Sequence, residues 1–413
     1  MPASPVFCDV TRLFRRRADG IGLTGIDRVN LAYANWTLAR GGQLCVWRDS
    51  AFSALSARDL NAFTHGFLAE AAAETANLRR APRLPAGSTG RGWLGRTAGN
   101  LGRTAGGWVG ALGRRLAPPR ASEGGWLLNV AHLWLDSPAA WAAARAQGLR
   151  VATMIHDLIP IDFPEYARPG EAERHRRRLL GALRHSQALI GNSQATLDEV
   201  RAFAARLQLP LPPSAAAPLG HARLPALPPP RATGSGRPHF LMLGTIEPRK
   251  NHLLLLNLWR ELVLELGDAA PDLVVVGRRG WECEQVIDML ERCERLRGHV
   301  LERNDADDEE ALGWLAGARA LLLPSFAEGF GLPVQEALAL GVPVLASPLP
   351  VFREIAGDVP DYCPALDGPG WRRTILGYTA PDSPLREAQL ARIATYKAFT
   401  WEAHFRQVEK LLA

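Results

Sequence analysis

The chain lacks several features that would settle its class at once. No stretch of its 413 residues approaches the run of about 18 uncharged apolar residues that a spanning helix needs. The start, MPASPVFCDV, has neither a basic beginning nor a long apolar stretch, so no signal peptide is expected and the cytoplasm is the expected compartment. Cysteines number five, at 8, 45, 283, 293 and 363, and no pair has metal-ligand spacing. Reduced, buried thiols are expected rather than a disulfide framework or a zinc site. Lysine is the scarcest charge: Lys250, Lys397 and Lys410 are the only three among 48 basic residues. Where lysine persists against so strong an arginine bias, its chemistry is expected to matter.

What is present is ordinary for a globular protein: 47% hydrophobic and 22% charged residues. The length predicts two or three domains. A net charge of +6 is compatible with an anionic partner, and no nucleic acid is expected. A Pro-rich joint at 209–240 divides the chain, and its middle, 221–238, reads as a linker. On both sides short apolar runs alternate with helical stretches. Strands are expected at 5–10, 43–47, 126–131, 150–155 and 187–191, then at 239–244, 272–277, 299–302, 319–324 and 343–348. Helices are expected at 26–40, 137–147, 170–184 and 194–207, then at 251–266, 282–296, 308–317 and 333–340. Uniformly apolar strands with intervening helices predict parallel sheets covered on both faces. The expected fold is α/β, two doubly wound parallel-sheet domains facing across a cleft, with ligands at the strands' carboxyl ends.

One segment stands apart. LGRTAG occurs twice within 91–120, at 94–99 and 101–106, in an insertion of about 85–122. Two readings stay open: an interfacial segment docking on anionic lipid, or a mobile insertion. Eight glycines in 91–120 would each weaken a helix by roughly 1 kcal/mol relative to alanine. The helix AERHRRRLLGALRH, 172–185, has a dense basic face, either a solvated surface or an attraction to anionic lipid.

The second half carries the sharpest chemistry. In LMLGTIEPRKNH a strand ends at Gly244 and a helix starts near Asn251, with Arg249 and Lys250 between. Two cations beside a helix N-terminus suit a diphosphate. In PSFAEGFGLPVQEALALGVPVLAS the glycines allow close backbone approach, and the amides of Phe330, Gly331 and Leu332 would face a phosphate. Glu328 and Glu336 are unfavourable beside phosphates. Vicinal hydroxyls, on a sugar and on a ribose, are their natural targets. The acidic run NDADDEE, 304–310, reads as a loop and helix N-terminus; no DxD-type metal site is seen, and no metal or cofactor is expected.

The Glu-x7-Glu spacing, the EGFGLP loop and EPRKN resemble the retaining glycosyltransferases of family 4 (group 1 glycosyltransferases, GT-B fold), over nearly all of 239–362. The resemblance implies that Glu328 contacts the transferred sugar, Glu336 the ribose, and Lys250 and Arg249 the diphosphate. One departure is Thr245, where many members place an arginine directly after the strand glycine; Arg249 then carries the second charge. In the first half, Gly22 and Gly25 resemble the family's glycine loop, and Arg28 is a further phosphate candidate. In TMIHDLIPIDFPEY, His156 matches a family histidine near the reaction centre, and Asp157 is a candidate for orienting the loop or holding an acceptor hydroxyl. Asn192 and Ser193, in GNSQAT, are weaker candidates.

The implied domains are 1–220 on the acceptor side, the linker 221–238, a nucleotide-sugar domain at 239–395, and a closing helix in 396–413 crossing back to the first domain. The implied activity is retaining, metal-independent hexosyl transfer, first from GDP-mannose. The expected acceptor is a polyprenyl-diphosphate-linked glycan on the cytoplasmic face of the inner membrane, as in bacterial O-antigen, capsule or exopolysaccharide mannosyl- or rhamnosyltransferases. A UDP-hexose or deoxysugar-nucleotide donor, a nucleotide-sugar 2-epimerase and a non-catalytic nucleotide-sugar-binding subunit are the alternatives.

Overall fold

The computed structural model describes residues 4–18, 25–56, 125–221 and 229–413. The expected insertion at 85–122 with its repeat at 91–120, Gly22, and linker residues 222–228 lie outside the described residues.

Two sheets organise the chain. The first contains β1 (Val6–Asp9), β2 (Gln43–Arg48), β3 (Ala51–Ala54), β4 (Trp126–Asn129), β5 (Arg150–Ile155), β6 (Ala188–Gly191) and β7 (Ser214–Ala216), in the order β3-β2-β1-β4-β5-β6-β7. β1 pairs parallel with both β2 and β4, whereas β3 folds back antiparallel on β2. That return uses Asp49 and Ser50, both at positive φ, as a two-residue hairpin turn requires. β7 comes from the Pro-rich joint and takes an edge position, where missing N–H donors are tolerated.

The second sheet contains β8 (His239–Leu243), β9 (Asp272–Val276), β10 (Val300–Arg303), β11 (Leu321–Leu323), β12 (Val344–Ala346) and β13 (Asp361–Tyr362). Its order is β10-β9-β8-β11-β12-β13, and every pairing is parallel. The order reverses between β8 and β11. Loops leaving the carboxyl ends of these two strands therefore diverge and open a crevice.

Burial explains the elements. β9 is buried along its whole length, as an apolar strand covered on both faces must be. Helix His252–Leu266 buries Leu255, Leu256, Trp259 and Leu262, the stripe of one helical face. Trp259 meets Phe240 edge-to-face at 5.9 Å, and its indole N–H donates to Pro271 O at 2.8 Å. The chain divides into two compact units, Met1–Met154 with His185–Gln187, and Ile155–Arg184 with Ala188–Ala413. Within the first, Phe52, Trp134 and Trp141 form an aromatic core, with Phe52–Trp134 at 5.0 Å and Trp134–Trp141 at 5.2 Å.

The structure corrects two sequence expectations. Between the strand expected at 5–10 and the helix expected at 26–40, where no element is expected, residues 11–18 form the helix Thr11–Ala18. Asp9 accepts from Thr11 N at 3.0 Å, and Arg12 and Arg16 pair with the buried Asp27 at 2.7 and 2.9 Å. These tertiary partners offset the charge repulsion of an arginine-rich helix. The single helix expected at 282–296 is shorter: Glu284–Arg292, then the 3-10 turn Glu294–Leu296.

Candidate functional site

The site is built at the strand-order reversal of the second sheet. β8 ends at Leu243, and Gly244 follows at φ +135°. A Cβ on Gly244 would lie 2.9 Å from Lys250 Cε, so glycine is required for the lysine to fold back over the strand end. A 3-10 turn, Pro248–Lys250, leads to Asn251 in the left-handed region at φ +61° and then to helix His252–Leu266. Asn251 Nδ2 donates to Pro324 O at 3.2 Å and Ala365 O at 2.9 Å. Phe326 N donates to Arg249 O at 2.8 Å. These bonds lock the turn after β8 to the loop after β11.

That lock brings Glu328 to the two cations. Lys250 Nζ lies 2.6 Å from Glu328 Oε1, and Arg249 Nη1 lies 2.7 Å from Oε2. Ser325 Oγ donates to Oε1 at 2.8 Å. Arg249 also reaches Glu247 Oε1 and Ala327 O, each at 2.7 Å. All four charged side chains are largely buried. Burial alone would raise the Glu328 carboxyl, but Arg249 and Lys250 overcome it and hold it down at about 2. Glu247 goes the other way: burial raises it, against the pull of Arg249 and Lys250. On sequence the cations were assigned to a diphosphate and Glu328 to a diol; the structure joins all three groups in one network.

Phe330 and Gly331 lead into helix Leu332–Ala339, with Gly331 as its cap at φ +103°. The first amides of a helix have no acceptor within it, which suits an anion. Glu336 lies half-buried in the next turn of this helix. Its neighbour Gln335 is fully buried, donating to Leu219 O and accepting from Phe399 N, each at 3.0 Å. Helix Trp401–Leu412 lies on β6 and β7, with His404 Nδ1 2.8 Å from Ala217 O.

His156 and Asp157 follow β5. His156 is 5% exposed. Asp157 Oδ1 accepts from Ile159 N at 3.1 Å, and its carbonyl oxygen meets His175 Nε2 at 3.0 Å. This turn abuts the glycine loop: a Cβ on Gly329 would lie 3.0 Å from both His156 O and Asp157 Oδ2. The structure thus brings His156, Asp157, Arg249, Lys250, Glu328, Phe330 and Gly331 into one neighbourhood, with Leu332 and Glu336 on the adjoining helix. Gly25 and Arg28 begin the separate helix Gly25–Ala39 of the first compact unit.

Sequence reasoning missed Ser325, Glu247 and Asn251. Asn251 had a usable signal, since asparagine before a helical run is a common left-handed residue. Ser325 and Glu247 lie two to three residues from their partners Glu328 and Arg249, and Glu247 opens the EPRKN stretch itself, so a local signal was there to be read.

Residues 237–366 match the family model described as Glycosyl transferases group 1. This segment is therefore similar to group 1 glycosyltransferases. The chain is similar to the serotype-specific mannosyltransferase WbdA of Escherichia coli, 29% identical over 241 residues, covering 55% of this chain and 29% of that protein. It is also similar to the O-antigen chain mannosyltransferase B of Escherichia coli, 37% identical over 165 residues, covering 40% of this chain and 42% of that protein. The chain thus spans less than half the length of these relatives. Among solved structures, sucrose-phosphate synthase from Thermosynechococcus elongatus superposes with a TM-score of 0.60 at 16% identity, over 99% of this chain and 98% of that one. The fold is GT-B.

Proposed function

We propose that the protein is a retaining glycosyltransferase that moves a hexose from a nucleotide sugar, GDP-mannose first, to a lipid-linked glycan during bacterial surface-polysaccharide synthesis. The observation that carries this reading is the Arg249–Lys250–Glu328 network at the sheet's order reversal, inside the segment similar to group 1 glycosyltransferases. The similarity to O-antigen mannosyltransferases supports mannose as the first donor sugar to test.

In this reading residues 239–395 bind the donor and 1–220 the acceptor. The diphosphate draws Lys250 and Arg249, and the amides of 330–332 complete its cradle. These groups stabilise the charge that develops as the sugar–phosphate bond breaks. Glu328, ionised even in mild acid, accepts hydroxyls of the transferred sugar, and Glu336 those of the ribose. His156 lies beside the sugar, with Asp157 orienting the loop. The acceptor attacks the face the diphosphate leaves, which gives retention, and the phosphate takes the acceptor proton. No protein nucleophile and no metal are invoked. The acceptor is a polyprenyl-diphosphate-linked glycan at the cytoplasmic face of the inner membrane, with the arginines of helix Glu171–His185 drawn to anionic lipid. Among the described residues no helix is long and apolar enough to cross a membrane.

The test is a donor panel of GDP-mannose, UDP-glucose, UDP-N-acetylglucosamine and dTDP-rhamnose, read by saturation-transfer NMR and thermal shift. GDP-mannose should bind best, and Lys250→Ala should lose at least tenfold in affinity. Unchanged binding by Lys250→Ala and Glu328→Ala would overturn the site. Complete loss of turnover in a chelator would overturn the metal-free chemistry.

A further inference from the structure

The turn after β6 holds a side chain that the chemistry above leaves without a role. Asn192 is 2% exposed and directly follows Gly191, the last residue of β6. Its amide nitrogen donates to two carbonyl oxygens that are far apart in sequence: His156 O at 2.8 Å and Gly329 O at 3.0 Å. Both donors of the side chain are therefore used.

The orientation of the amide is set from the other side. Thr196 Oγ1 donates to Asn192 Oδ1 at 2.9 Å, and Ser193 Oγ donates to Thr196 Oγ1 at 3.0 Å. Ser193 Oγ in turn accepts from Thr196 N at 3.0 Å and caps helix Gln194–Arg206. A flipped amide would set its oxygen against two carbonyl oxygens, His156 O and Gly329 O. The helix cap thus fixes a hydroxyl, the hydroxyl fixes an amide, and the amide joins two backbones. Those backbones carry the groups assigned to the chemistry: His156 on one, and Glu328 and Phe330 on either side of Gly329 on the other. They touch closely: a Cβ at 329 would lie 3.0 Å from His156 O and Asp157 Oδ2.

We infer that Asn192 is a positioning residue that sets the register of the glycine loop against His156, and so the placement of the donor sugar. The inference rests on the donor-site reading above. A misplacement of about 1 Å in such a register can cost on the order of 100-fold in rate without weakening ground-state binding.

The decisive variant is Asn192→Asp, which keeps the size and loses both donors. Release of mannose from GDP-mannose should fall on the order of 10- to 100-fold in kcat, with KM and GDP affinity within about twofold. Thr196→Val leaves the amide on its two carbonyls but removes the hydroxyl that braces it, and should lose less, about three- to tenfold in kcat. A purely structural role would lower Tm and leave kcat of the folded protein intact. Folded Asn192→Asp with kcat within twofold of the parent overturns the inference. If that variant does not fold, Thr196→Val decides by the same criterion. Hydrogen exchange needs no substrate: 155–158 and 326–332 should exchange faster together in either variant, and unchanged exchange in both segments also overturns it. If the parent does not turn over GDP-mannose, the donor choice has failed, and exchange still decides the role of Asn192. Wild-type GDP binding by Lys250→Ala would sink the donor site while leaving the Asn192 exchange result standing.

Discussion

Gln194 N donates to Glu354 Oε1 at 2.6 Å, and the other oxygen of that carboxylate accepts from Ala195 N at 2.9 Å. The first two amides of helix Gln194–Arg206 are thus satisfied by a side chain from helix Pro350–Ala356, 159 or more residues away. The carboxylate also faces the positive end of the helix dipole. Glu354→Ala should cost about 0.5–2 kcal/mol, the usual range for losing a helix cap, and Glu354→Gln less. Guanidinium unfolding followed by circular dichroism measures both; equal stability of all three proteins would show that the bond contributes nothing.

Removal of Glu328 leaves Arg249 and Lys250 buried without their shared carboxylate. Glu328→Ala should destabilise by about 3–5 kcal/mol, the range for breaking a buried ion pair from one side. Lys250→Ala should cost less, because Arg249 still faces Glu328 at 2.7 Å. In acid, the carboxyl held at about 2 against an ordinary 4.5 contributes stability that is complete above 4.5 and is lost as pH falls towards 2. In Lys250→Ala the loss should be smaller and complete at a higher pH, because the folded carboxyl is held down less. Chemical denaturation at a series of pH values reads both effects.

His404 predicts an earlier loss. It is 1% exposed, against the carbonyls of Ala217 and Pro218. Burial pushes its imidazole down to about 4 from 6.5, despite those carbonyl bonds. The unfolded chain therefore takes up a proton between pH 6.5 and 4 that the folded protein refuses. Stability is complete above 6.5 and falls as pH drops through that window, by on the order of 2–3 kcal/mol from this group. His404→Asn, which keeps an N–H donor, should be less stable at neutral pH and flatter between pH 6.5 and 4. A parent protein of constant Tm across that window would refute the assignment.

Gly331 should not accept alanine. Its φ of +103° strains any L side chain, and a Cβ would lie 2.5 Å from Phe352 Cε1. Phe352 is fully buried and cannot swing aside. Gly331→Ala should cost about 1–3 kcal/mol and weaken GDP binding, because the amides at the start of helix Leu332–Ala339 shift with it. Thermal denaturation and calorimetric titration with GDP test the two parts.

Local chemistry was legible in the sequence because it is written at short range. Gly329, Gly331 and Pro333 mark a loop running into a helix, and PRKN marks a turn before another. The apolar runs of β8, β9, β11 and β12 announce buried parallel strands. Helix Thr11–Ala18 was not legible, because its arginines are stabilised by Asp27 rather than by a local pattern. Asp9 shows the same limit in the first sheet: its Oδ2 accepts from Trp134 Nε1 at 2.7 Å across 125 residues.

By itself, the sequence determined that the chain makes two sets of parallel strands, and which turns carry glycine, cation and carboxylate. Hydrophobic periodicity and turn chemistry act over a few residues, so they survive without knowledge of the fold. Only the tertiary structure decided that Glu328 meets Arg249 and Lys250, and that Asn192 holds Gly329 to His156. The first depends on β8 and β11 being neighbours in the sheet, the second on an amide reaching 137 residues along the chain. Hydrogen bonds and ion pairs act over about 3 Å, so the partner of a buried polar group is set by where the backbone has been carried.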